Sequence, residues 1–132
     1  MPQGRKPEVG EMLFGNVRIR QVNANAASGA LLLRAIYDER EYMDVVYHDV
    51  FYAQFDESCK NVFVTLAQRV DAAELGHVRH AGSVRRMMSD CQCTSSLVFE
   101  ELENRGYHFY THYAGRDDEY LVIAKEFAVR QR

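Results

Sequence analysis

The sequence predicts an α+β domain: an antiparallel sheet with helices packed on one face and a β-hairpin at the C-terminus. Three observations predict it. The first half alternates apolar and polar residues with short polar turns between the runs, the period-2 signature of half-buried strands. The stretch from Asp71 to Asn104 instead holds helix-forming residues behind Asp and Ser caps. From Tyr107 to Phe127 two aromatic and β-branched runs flank a polar loop.

Residues 1–11 hold both prolines and two glycines with almost no apolar content, and are expected to form a flexible lead ahead of a single domain over 12–132. The first strand is expected over Leu13–Val22, with Val17 and Ile19 inward and Arg18 and Arg20 outward. Asn23 to Gly29 is a turn by composition. Ala30–Tyr37 follows as a strand centred on Leu31, Leu32 and Leu33; three consecutive leucines imply either cover on both faces or a partner against one of them. After the charged turn Asp38–Glu41, Tyr42–Phe55 is the longest β-like run, interrupted at His48 and Asp49 by a bulge or by a break between two strands. A turn from Asp56 to Asn61 leads to a further strand, Val62–Ala67. Read in order, these strands form a meander of four to five.

The centre is helical. Asp71 caps a short helix that Gly76 and Gly82 weaken, at roughly 1 kcal/mol each in a helix interior. A second helix over Ser83–Ser89 offers Val84, Met87 and Met88 to the interior. Ser95 to Asn104 is a third, with Gly106 as its left-handed stop. The expected core is Val17, Ile19, Leu31, Leu33, Val45, Phe51, Val62, Val64, Leu66, Val98, Leu102, Phe109, Val122 and Ile123.

Composition bounds the function. The net charge of −3 does not predict non-specific binding to polyanions. Thirteen arginines stand against three lysines, which a GC-rich genome explains as readily as selection for planar donors. No apolar run is long enough to span a membrane and no signal-peptide core opens the chain, while three cysteines fit a reducing compartment. An intracellular protein, cytoplasmic or nuclear and without membrane contact, is expected.

The candidate chemistry is sparse. His108 and His112 share a strand face with Tyr110, but four residues of strand separate them by roughly 13 Å, too far to share one ion. His77 and His80 at helical spacing, with Cys91 and Cys93, form a weak candidate set for structural zinc whose spacing fits no standard knuckle. Neither cysteine has a base placed beside it by the sequence. There is no phosphate-binding glycine loop, nucleophile elbow or dinucleotide fingerprint, so no catalytic residue and no cofactor is assigned.

Two surfaces remain for binding. Between Leu75 and Ser89 there is no acidic residue, and Arg79, Arg85 and Arg86 lie there with two histidines. The tyrosines Tyr107, Tyr110 and Tyr113 stand with His108 and His112 on the next strand. Tyrosine and arginine anchor protein interfaces, and the same residues stack on and neutralise single-stranded RNA. The sequence is therefore read as a non-enzymatic protein-interaction module, an adaptor or complex subunit. It would bind through an edge strand or this aromatic and arginine surface, and homo-oligomerisation would use the same edge. Single-stranded RNA binding through 77–86 and 107–113 is the second reading. A small enzyme or ligand-binding domain without a recognisable motif is the third. The opening meander resembles that of pleckstrin-homology-like domains, but that family ends on a helix and this chain on strands; no family is assigned.

Overall fold

The computed structural model describes residues 4–115 and 117–131. Eight antiparallel strands, β1 (Met12–Phe14), β2 (Val17–Asn25), β3 (Ala30–Asp38), β4 (Glu41–Ala53), β5 (Phe63–Val64), β6 (Leu66–Val70), β7 (His108–Ala114) and β8 (Asp118–Gln131), share one sheet with three α-helices, α1 (Ala72–Leu75), α2 (Ala81–Asp90) and α3 (Leu97–Asn104). The strand order is β1-β6-β7-β8-β4-β3-β2-β5.

Only Gly15 and Asn16 separate β1 from β2, and only Thr65 separates β5 from β6. Each pair is therefore one bent strand, and β1 pairs with β6 while β2 pairs with β5. The ladder returns on itself and the sheet closes into a barrel. Glycine is required at the bend: a Cβ on Gly15 would lie 2.5 Å from the Thr65 carbonyl oxygen of the crossing strand. The next residue, Asn16, takes a left-handed backbone (φ 55°) and donates its N–H to that same oxygen at 3.2 Å.

The expected four- to five-strand meander is thus corrected. Strands β2, β3 and β4 are sequential neighbours, but the chain then crosses the barrel floor. Asp56 caps a single 3-10 turn (Glu57–Cys59), Phe55 and Cys59 enter the core, and β5/β6 pairs with the first bent strand. The place beside β4 goes to β8. Alternation specifies which face of a strand is buried and leaves its neighbour open, so a non-local pairing of this kind has no local signature.

Inward residues fill the barrel: Val17 and Ile19, Leu31, Leu33 and Ala35, Val45 and Tyr47, Val64, Tyr110, Val122, Ala124 and Phe127. Leu32, between two interior leucines, is half-buried outside. The helices cover one outer face, where Leu75, Met87, Phe99 and Leu102 pack on Val70, Phe109, Leu121 and Ile123. A side chain such as Met87, fully buried here, contributes about 1.5–3 kcal/mol. Helix α3 ends at Arg105 and Gly106 (φ 92°), with Gly106 N–H on Glu103 O and Tyr107 N–H on Leu102 O, which turns the chain directly into β7.

Of the expected core, Val62, Leu66 and Val98 are half-buried and Phe51 is 42% exposed. Asp49 adopts φ 54° and the β4–β8 register slips between Val50 and Tyr52, so alternation fails at that point. Phe51 turns outward onto Tyr107, ring centroids 5.6 Å apart.

Candidate functional site

The helical layer carries a cleft of about 480 Å³. Asp71 accepts from Glu74 N–H and starts α1; Glu103 of α3 accepts from Ala72 N–H at 3.0 Å, tying the two helices together. A 3-10 turn (Val78–His80) joins α1 to α2, and the space between the three helices is floored by Ala72, Leu75, Val84 and Phe99. Val78, which lines the cleft, is 89% exposed, and Leu97, the first residue of α3 and next in sequence to the lining Ser96, is 61% exposed. Charge divides across the opening: His77 and Arg85 on the α2 side, Glu100 on the α3 side.

Behind that layer the fold gathers a polar chain from four separate elements. His80 is fully buried, its Nδ1 2.6 Å from Glu119 Oε2 of β8. Ser83 donates to the other Glu119 oxygen at 2.7 Å. The second imidazole nitrogen of His80 lies 3.2 Å from Glu74 Oε2 and 3.2 Å from Arg79 Nε. Arg79 in turn donates to Glu74, and His77 Nδ1 sits 3.1 Å from the same oxygen. Burial pushes the Glu74 carboxyl up, but Arg79, His77 and His80 outweigh it and hold it below its usual range. Chemically this differs from a nucleophile–base pair, because the Ser83 hydroxyl meets a carboxylate and not the imidazole. A hollow of about 210 Å³ beside it is lined by Arg79, Ser83, Arg86 and the run Asp117–Glu119.

The expected tyrosine and histidine surface is divided by the barrel wall. Tyr110 and His112 are completely buried, so neither is open to a base or a partner; this part of the expected binding surface is corrected. His112 Nδ1 donates to the Tyr120 carbonyl at 2.9 Å, which leaves Nε2 to accept the Tyr47 hydroxyl. Burial pushes the His112 imidazole down to about 4, against the two backbone carbonyl contacts. Half-buried Tyr107 packs on the outer layer, with Arg105 and Lys125 over its ring at 5.8 and 5.1 Å. Half-buried Tyr113 accepts from Thr111, and His108 lies under the N-terminal lead.

The three arginines do not form one patch. Arg79 binds Glu74, Arg86 lines the acidic hollow, and Arg85 Nε donates back to Ala81 O in its own helix. His77 and His80 converge on Glu74. Cys93 Sγ lies 3.7 Å from the Cys91 carbonyl, and burial raises the Cys91 thiol. Among the described residues no three histidine, cysteine or acidic side chains are placed to hold a metal ion. Among the described residues, strand segments with a ladder partner on one side only include β1, β5, Gln21–Asn25 of β2 and β8 beyond Ala124, where Arg5 bridges Phe127.

No known protein family matches the chain, and no characterised protein or solved structure proves similar to it. Among the described residues no helix is long and apolar enough to cross a membrane.

Glu74, Ser83 and Glu119 were beyond sequence reasoning, because Ser83 and Glu119 are 36 residues apart and carry no spacing signal. Val78 and Leu97 had one: an apolar residue between two histidines, and another opening a helix.

Proposed function

We propose that the protein is a non-enzymatic interaction module that receives an amphipathic helix of a partner protein in the cleft between α1, α2 and α3. The observation that carries this reading is an apolar floor with a large apolar side chain of its lining, Val78, left in water, and a second, Leu97, exposed at the start of α3. Helix-in-groove recognition requires such a floor, with apolar anchors of the ligand spaced at i, i+3 or i+4, and i+7. The divided rim selects its orientation: an acidic flank toward His77 and Arg85, a basic flank toward Glu100. The dispersed arginines and the closed Tyr110 and His112 favour this reading over single-stranded RNA.

The test is selection from a displayed library of helical peptides, followed by NMR mapping on the isotopically labelled protein. Binders are expected to carry one apolar stripe and an acidic flank, and to perturb Leu75, Val84 and Phe99. Val78→Asp and Leu97→Asp should each weaken them at least tenfold, about 1.4 kcal/mol. Perturbations mapping to β1 or β2 would transfer the function to a strand edge. A dimer by light scattering that Val78→Asp dissolves would make a second copy the occupant. RNA retention lost on Arg85→Ala and Arg86→Ala would overturn the reading.

A further inference from the structure

The N-terminal lead crosses one mouth of the barrel as a strap. Arg5 exchanges both backbone hydrogen bonds with Phe127 of β8, each 2.9 Å. At the other end Gly10 N–H reaches Arg69 O at 2.8 Å, and Arg69 N–H reaches Glu11 O at 3.1 Å, on β6. Strand β7 begins at His108 between those two strands, so the strap passes over its first residues. Pro7 is buried, its carbonyl accepting from the Arg69 guanidinium. A 2.6 Å ion pair from Arg5 to Glu11 joins the ends of the strap.

Beneath it lie His108 and Tyr110, two residues apart on one strand face, with Arg69 opposite Tyr110 in register. Both His108 ring nitrogens, the Tyr110 hydroxyl and Arg69 Nε are buried and have no hydrogen-bond partner. Tyr110 itself is completely closed to solvent. Folded proteins satisfy nearly all such groups, because an unpaired buried one has given up its hydration with nothing in return. Four such atoms from three neighbouring residues therefore form a set of groups that a ligand would satisfy.

The chemistry of the set defines that ligand. Arg69 Nε–H and Tyr110 O–H donate, and the neutral imidazole of His108 offers one donor and one acceptor. Burial, then Arg69 and Lys6, push His108 down to about 4, so it is uncharged at neutral pH. Arg5 and Lys6 add positive charge at the strap; Glu11 neutralises Arg5, and Glu126 is the opposing charge facing Tyr110. Three donors with one acceptor beside a guanidinium fit a singly protonated oxyanion, whose O–H meets the free imidazole nitrogen.

We propose that this mouth of the barrel binds a small oxyanion of the hydrogen-phosphate type, held by Arg69, Tyr110 and His108 beneath the strap of residues 4–11. The test uses the full chain with inorganic phosphate, acetate and chloride at equal ionic strength and neutral pH. Phosphate is expected to raise Tm and to shift the His108 ring resonances; acetate, which lacks the O–H, should do so less. Tyr110→Phe should weaken phosphate about tenfold, the loss of one buried hydrogen bond to a charged ligand. Should Tyr110→Phe fail to fold, His108→Gln makes the same test at the imidazole. Equal Tm in all three salts would overturn the proposal. So would a Tyr110→Phe protein more stable than wild type by the same amount with and without phosphate, since the hydroxyl would then be a packing defect or hold water only.

Discussion

Replacing Glu119 by Ala is expected to destabilise the protein by about 2–4 kcal/mol, the cost of removing the acceptor shared by a buried imidazole nitrogen and a buried hydroxyl. Glu119 is shielded on β8, its side chain 8% exposed, and it is the one group that binds both His80 Nδ1 and Ser83 Oγ. Without it, a completely buried imidazole keeps its polar contacts with Glu74 and Arg79 at one nitrogen and loses its partner at the other, and Ser83 falls back on the His80 carbonyl at 3.2 Å. The junction of the helical layer with the barrel loosens as a result, since His80 and Ser83 belong to the segment that carries Val84 and Met87 onto β8. Urea denaturation of the single variants and of the double variant Glu119→Ala/His80→Ala measures this. A coupling above about 1.5 kcal/mol is expected for groups in direct contact. A single-variant loss under 1 kcal/mol would show that water, and not the fold, satisfies these groups. Because α1 and α2 also form two walls of the cleft, Glu119→Ala should weaken peptide binding there without touching the peptide.

Acid should unfold the protein earlier than its carboxylates alone would dictate. His112 titrates near 6.5 in an unfolded chain and near 4 inside the barrel, so between those values the unfolded state binds more protons. Its contribution is complete above pH 6.5 and is lost as the pH falls, by about 3 kcal/mol at pH 4. His108 pushes in the same direction from beneath the strap. The carboxylates held low, Glu11, Asp56 and Glu74, act only below their ordinary range near 4, so the window from 6.5 to 4.5 isolates the histidines. Denaturation at pH 7.5 and at pH 4.5 reads the loss, about 2.5 kcal/mol of it from His112. His112→Gln, which cannot charge, should narrow the difference by about 2.5 kcal/mol although it is less stable at pH 7.5. An unchanged difference would mean that the imidazole is already protonated in the folded barrel. Phe55 at 4.9 Å and the Tyr47 hydroxyl surround that ring, and neither accommodates a charge.

How far the fold was legible varies by element. The helix before Gly106 was readable because a cap and an apolar face are local properties: the glycine takes φ 92° and Leu102 is buried. The hairpin of β7 and β8 and the runs of β3 and β4 follow from alternation in the same way. Alternation misled at Phe51, where one inserted residue reverses the faces. It was silent at Gly15, whose need for a bare backbone appears only when Thr65 of a distant strand crosses it. The tyrosines illustrate the limit on sites: Tyr107, Tyr110 and Tyr113 look alike in sequence, and one lies in the barrel core while the others line its outside.

By itself the sequence determined that the chain builds antiparallel strands with a helical insert, because burial period, caps and turn residues act within a few positions of each other. Tertiary structure alone decided that the sheet closes, that β8 displaces β5 beside β4, and that His80, Glu119 and Ser83 meet. The same holds for His108, Tyr110 and Arg69 beneath the strap. Those outcomes depend on which distant segments pack most closely, and packing energy is shared among residues that the chain holds far apart.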